Sequence, residues 1–221
     1  MTESTKMPSV LGHSAACCNI PPVISKGYSE KGKFETINGL KTCDPNPRPS
    51  CLSHAYEIID VVGSPTAKKA IFWVYDIFGY FPQTLQGADI LATSPEEYQV
   101  FIPDFFEGSP ADISWYPPET EEQKKALYGW FESRTPPTGA EKIPAIVKGI
   151  EEKYGKKTWG AVGFCWGGKV CSITSGEGTP FKAVAQTSPA SKSFSPLNLV
   201  TGLCCLDPSQ QNYAFVFSAT C

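Results

Sequence analysis

The sequence predicts an α/β fold, a mostly parallel sheet with helices on both faces. Three observations lead there. Short apolar runs of strand length alternate with stretches of helical period between residues 71 and 186, the order expected of repeated strand–helix–strand units. One of those runs, Trp159 to Gly163, passes directly into the turn Gly163-Phe164-Cys165-Trp166-Gly167-Gly168 and then into helix-compatible sequence. The alternation stops after Pro189, so the sheet is expected to be truncated after the strand at 182–186.

Each element follows from local pattern. Residues 33–42 (KFETINGLKT) read as a hairpin turning at Asn38-Gly39. Prolines break all periodicity over 43–54, and Tyr56 to Val62 offers a further strand. The run 71–75 (IFWVY) suits a buried strand, and helical pattern follows from about Gln83 to Thr93. Ser94-Pro95-Glu96-Glu97 carries a helix-start pattern with Pro at the first helical position. QVFIP at 99–103 is the next strand. Thr120-Glu121-Glu122-Gln123 reads as a capping box opening a helix to Glu132, with Leu127, Trp130 and Phe131 as its apolar face. A helix over about 140–154 places Ile143, Ile146, Val147, Ile150 and Tyr154 on one stripe, a core-facing pattern. A strand at 159–163, a helix from Gly167 to about Ser175 and a strand at 182–186 complete the series.

The 221 residues suit one domain of moderate size. Apolar residues make up 41% and charged residues 19%, with a net charge of −3, so there is no basic footprint for nucleic acid. No stretch approaches the roughly 20 apolar residues that cross a bilayer, and Met1 to Val10 has no signal-peptide core. A soluble cytoplasmic protein is expected, with neither a nucleic-acid nor a membrane partner. The nine cysteines are then expected to be reduced thiols rather than a disulfide framework. There is no C-x-x-C pair and the only histidines are His13 and His54, so neither a metal site nor a redox pair is expected.

The chemistry concentrates at Cys165. A nucleophile elbow sets its reactive residue on a tight strand-to-helix turn, with small residues two before and two after so that the backbone packs closely. Here those are Gly163 and Gly167. The turn leaves Cys165 at a helix N-terminus, where the dipole favours thiolate. The next N–H, that of Trp166, is aimed at a developing oxyanion. Asp76-Ile77-Phe78-Gly79 follows the strand 71–75 directly, where a loop supplies a second oxyanion N–H, that of Ile77.

With these two motifs in order and at strand ends, the chain resembles the dienelactone hydrolase family in its fungal type. The matching stretches are HSAACCNIPP (13–22), YDIFGYFPQTLQGADILA (75–92), VFIPDFFEG (100–108), SWYPP (114–118) and GFCWGGK (163–169). The resemblance implies an α/β-hydrolase fold and a Cys-His-Asp triad without metal or organic cofactor. It implies hydrolysis of small lactones or esters through an acyl-cysteine. In that scheme Cys165 is the nucleophile, and the Ile77 and Trp166 amides hold the oxyanion. Asp76 matches a position where bacterial relatives carry a glutamate that contacts the resting cysteine. Those relatives also bind a substrate carboxylate with an arginine after the strand matching 99–103. Here the segment reads Pro103-Asp104-Phe105-Phe106-Glu107, which argues against an acidic dienelactone.

Two segments depart from the pattern, 43–60 and 191–221, the first an irregular insert in a domain of 1–190 and the second an irregular tail. Both are rich in Ser, Pro and Cys. They read as non-native coding, such as retained intron sequence or a gene-model error, or as a divergent isoform; a cDNA matching the sequence throughout excludes the error. After Cys165 there is no histidine, and Asp207 is the only carboxylate after Glu177. The nucleophile–acid–histidine order of the fold is therefore incomplete. A catalytically inactive scaffold with a binding role, or none, is the competing expectation, with little activity and poor solubility.

Overall fold

The computed structural model of the chain describes residues 27–38, 56–187, 204–206 and 212–216. Eight strands form one sheet: β1 (Lys33–Asn38), β2 (Tyr56–Val62), β3 (Lys69–Val74), β4 (Tyr98–Pro103), β5 (Thr158–Phe164), β6 (Phe181–Thr187), β7 (Cys204–Leu206) and β8 (Asn212–Val216). Their spatial order is β1-β2-β4-β3-β5-β6-β8-β7. The central strands β4, β3, β5, β6 and β8 run parallel, β2 and β1 are antiparallel at one edge, and β7 is antiparallel at the other. The helices are α1 (Pro82–Ala92), α2 (Glu121–Ser133), α3 (Pro136–Tyr154) and α4 (Trp166–Thr174), with a 3-10 turn at Ile113–Trp115.

Consecutive strand residues point to opposite faces, and Phe72 and Trp73 show what covers each. Phe72 meets Phe105, Trp159 and Phe181 on one face. There the Trp159 indole N–H donates to Glu151 of α3, and Phe101 packs edge-on against Tyr154 of the same helix. Trp73 looks the other way: it stacks on Phe164 at 4.7 Å, and a Cβ on Gly87 of α1 would come within 2.8 Å of its ring. Helices therefore lie on both faces, as the alternation of patterns predicts.

The helices form where local chemistry directs. The capping box of α2 is present in full: Gln123 N–H donates to Thr120 Oγ1 at 3.2 Å and Thr120 N–H to Gln123 Oε1 at 2.9 Å. The α3 stripe is core as expected, with Ile143 and Ile150 fully buried, but the helix starts earlier than its apolar period. Thr135 caps it and Pro136 and Pro137 open it, because proline's fixed φ suits the first turn, where no N–H acceptor is lost.

One expectation is corrected. Ser94-Pro95-Glu96-Glu97 opens no helix: Glu97 N–H donates back to Ser94 O in a single turn, Glu97 has φ 52°, and β4 begins at Tyr98. The run that follows the helix-start signal pairs with β3 along Lys69↔Tyr98 to Phe72↔Phe101, and that pairing overrides the local signal. The described partner of β1 is β2, with Lys33↔Val61 through Asn38↔Tyr56; the far arm of the expected hairpin, 39–42, lies outside the described residues. The last five residues of the 43–60 segment, 56–60, stand in the sheet as the start of β2, which also pairs with β4. Past β6 the backbone at 212–216 adds β8, and no helix follows it among the described residues.

Candidate active site

In open parallel sheets, ligands bind beyond the carboxyl ends of the strands. Strands β3 and β5 are neighbours, in register from Lys69↔Thr158 to Val74↔Gly163. The loop after β3 (Asp76 to Gly79) and the turn after β5 (Cys165) thus emerge side by side at that end.

Cys165 caps α4 with φ 51° and ψ −108°, a conformation that L side chains rarely adopt. Its carbonyl accepts the first helical bond, from Lys169 N–H at 3.3 Å. Two glycines make the turn possible. A Cβ on Gly163 would collide with the Gly167 carbonyl and stand 2.7 Å from Cys171 Sγ. A Cβ on Gly167 would sit 2.5 Å from the Tyr75 carbonyl oxygen and strike that of Val74. So α4 starts in van der Waals contact with the end of β3, which brings the two motif loops together. Cys165 itself is half-buried, whereas Cys171 beneath it is fully buried, and burial pushes that thiol up to about 12.

The amides of Trp166, Gly167 and Gly168 occupy the first turn of α4, where no intrahelical acceptor exists. The Trp166 side chain is 2% exposed and anchors this turn. Its indole N–H donates to Arg134 O at 2.7 Å, and its ring lies edge-on to Phe105 at 5.6 Å and Phe106 at 4.8 Å. On the far side Gly139 of α3 leaves the space: a Cβ there would come within 2.5 Å of the indole.

Ile77 is buried, and its carbonyl accepts from Ala111 N–H at 2.9 Å. Asp76 is half-buried. Its Oδ1 accepts from Phe78 N–H at 2.8 Å, and its backbone oxygen from Gly79 N–H at 3.3 Å. Burial raises the carboxyl above the usual aspartate range, and the Phe78 N–H offsets part of that rise.

The sequence reading missed two polar residues. The Tyr75 hydroxyl donates to Asp104 Oδ1 at 3.0 Å, and Asp104 also accepts from Phe106 N–H at 3.1 Å and Gly108 N–H at 2.7 Å. The carboxylate thereby holds the 104–108 turn, which presents the Phe105 and Phe106 rings to Trp166. Burial and the Asp104 charge push the Tyr75 phenol well above its ordinary value. The available signal was an Asp directly after a strand with a glycine four residues on, the pattern of a side-chain-closed turn. His13, His54 and Asp207 lie outside the described residues. No helix among the described residues is long and apolar enough to cross a membrane.

Comparisons with known proteins bear on the family and the fold. The model of the dienelactone hydrolase family matches residues 59–201. An uncharacterized AIM2 family protein of Schizosaccharomyces pombe is 31% identical over 182 residues, covering 80% of this chain and 65% of that protein. A carboxymethylenebutenolidase homolog of Mus musculus is 34% identical over 117 residues, covering 50% of this chain and 42% of that one. The chain thus spans less than two thirds of the length of either relative. The fold is shared with a Klebsiella pneumoniae protein assigned to the dienelactone hydrolases, at a TM-score of 0.52 and 14% identity, over 73% of this chain and 61% of that one.

Proposed function

Because the chain belongs to the dienelactone hydrolase family, we propose that it acts on small uncharged esters or lactones through Cys165 as nucleophile. The observation that carries this reading is the backbone of Cys165. A non-glycine residue at φ 51°, between two glycines whose Cβ atoms would clash, is strain of order 1–3 kcal/mol that persists only where the surroundings impose it. Such strain concentrates at reactive residues.

The steps follow from the residues present. The Cys165 sulfur, as thiolate at the first turn of α4, bonds to the substrate carbonyl carbon. The carbonyl π electrons move onto oxygen, and the Trp166 and Ile77 N–H groups donate to that oxyanion. Collapse breaks the ester C–O bond, and the alcohol oxygen leaves with the electron pair and takes up a proton. Water then cleaves the thioester. The aromatic 104–108 turn supplies no cation, and this supports an uncharged acyl group. In the reading implied by the family, Asp76 contacts the resting thiol, while its Oδ1 accepts from Phe78 N–H.

A second reading has one observation in its favour. The sequence holds two histidines, both before Cys165, so the base that would activate water for deacylation is not evident. An inactive scaffold with a binding role follows if that base is lacking. Removing a triad member costs several orders of magnitude yet leaves oxyanion stabilisation in place. The two readings separate on p-nitrophenyl acetate. A cysteine hydrolase releases one equivalent of p-nitrophenolate in a burst and gains one acetyl group on Cys165 by mass spectrometry. C165A gives neither. Equal slow labelling of all cysteines, with no burst, supports the inactive scaffold.

A further inference from the structure

The loop after β3 is closed by several hydrogen bonds. The peptide joining Asp76 to Ile77 is held at its oxygen by Gly79 N–H at 3.3 Å. The peptide joining Ile77 to Phe78 is held at both ends: Ala111 N–H donates to its oxygen at 2.9 Å, and its own N–H donates to Asp76 Oδ1 at 2.8 Å. Downstream, Phe81 N–H donates to Gly79 O at 2.8 Å. Within the turn 76–79 the N–H groups of Phe78 and Gly79 are engaged internally, whereas those of Asp76 and Ile77 make no hydrogen bond inside it. The Ile77 side chain is 5% exposed, which fixes the turn from below.

We propose that Asp76 is a positioning residue: its carboxylate closes a side-chain turn onto Phe78 and so fixes the direction in which the Ile77 N–H points. This rests on the reading of Ile77 as an oxyanion donor and adds to it the device that orients the donor. Orientation matters because an oxyanion donor stabilises the transition state only when it is already aimed, without reorganisation during the reaction.

None of the ion pairs among the described residues involves Asp76. Its neighbour Tyr75 spends its hydroxyl on Asp104. A charged oxygen accepts more strongly than a neutral one. The turn should therefore loosen as Asp76 protonates, and burial moves that protonation to a higher pH than for an exposed aspartate.

The test compares two reactions of the same thiol. Acylation by p-nitrophenyl acetate develops an oxyanion, whereas alkylation by iodoacetamide displaces iodide and develops none. Single-turnover rates of both are measured on the full chain, D76A and D76N from pH 4.5 to 8. The ratio of acylation to alkylation cancels the thiolate fraction. In D76A the ratio is expected to fall about ten- to a hundredfold, less than the full cost of removing one oxyanion donor, while alkylation changes by less than about twofold. Asparagine keeps an acceptor oxygen in the same place, so D76N recovers most of the ratio. In D76N the ratio is flat with pH, whereas in the native chain it declines on the acid side. Three outcomes overturn the proposal: a ratio unchanged in D76A; acylation and alkylation slowed equally, which would mean that Asp76 acts on the thiol; or D76N no better than D76A. If D76A does not fold, the acid decline present in the native chain and absent from D76N carries the decision. A native chain with no burst from Cys165 overturns the nucleophile reading itself, a result distinct from these three.

Discussion

Cys165 keeps φ 51° and ψ −108° although its own side chain disfavours them, and this separates the demands of the reaction from those of the fold. Elsewhere, alanine is more stabilising than glycine by roughly 0.5–1 kcal/mol because glycine loses more backbone freedom on folding. At position 165 the order should invert. C165G and C165A both remove the thiol, so their difference isolates the backbone. C165G is expected to be more stable than C165A by about 1–2 kcal/mol, since alanine keeps the positive-φ strain and glycine does not. Urea denaturation of the two variants measures it, and C165A equal to or above C165G would mean that the turn is unstrained. The identity of this residue, and the need for glycine at 163 and 167, were legible in the sequence because the elbow is a local motif of six residues. Trp166 was legible only as an amide. Its indole bond to Arg134 O and its packing on Phe106 join segments more than 30 residues apart, which no local pattern encodes. For Asp104 only the turn it closes on Gly108 was encoded locally; its hydroxyl partner, Tyr75, comes from the end of another strand.

Among the elements, the ones read correctly are those whose local and long-range preferences agree. In α3, Ile143, Ile146 and Ile150 recur at helical spacing and all three are buried. The failure at 94–97 is the reverse case, a helix-start signal upstream of a run that β3 recruits into the sheet. The box at α2 shows how far a local signal can extend into tertiary structure. Gln123 Oε1 accepts from both Thr120 N–H and Glu119 N–H at 2.9 and 2.8 Å, and its Nε2 donates to Ser114 O at 2.8 Å. One side chain thus ties the α2 start to the 3-10 turn. Q123A should cost about 1–2 kcal/mol, at or above the usual value of a helix cap, even though these bonds lie at the surface. Hydrogen exchange locates the effect: the amides of Glu119 and Thr120 should lose protection while those of α3 keep theirs. Unchanged protection at 119 and 120 would remove Gln123 from this role.

Across the whole molecule, the parallel centre of the sheet sets the candidate site at its carboxyl end, and the antiparallel edge holds a different kind of polar cluster. Asp60 of β2 and Asp89 of α1 are 3% and 4% exposed, and both face the segment 27–32. Asp89 accepts from Tyr28 Oη–H at 2.6 Å and from Lys31 N–H at 3.1 Å. A Cβ on Gly32 would press into the Asp60 carboxylate, so that glycine lets the segment lie over it. Burial, then the charges of Asp89 and Glu30, raise Asp60 to about 6, and a bond from Val61 only partly opposes them. The folded chain therefore binds this proton more tightly than the unfolded chain. Stability from this group is complete below the ordinary aspartate range and is lost as pH rises through about 6. The shift corresponds to at most about 3 kcal/mol, and solvent relaxation reduces this to roughly 1–2 kcal/mol. D60N removes the charge at nearly constant volume. It should raise the melting temperature at pH 8 by several degrees, at about 2–4 °C per kcal/mol for a chain of this size, and change it little at pH 4.5, where the native carboxyl is already protonated. Melts at the two pH values decide it. An equal shift at both would mean that asparagine acts by packing or hydrogen bonding. A loss of stability at pH 8 would mean that the Asp60 carboxylate is stabilised in its charged form.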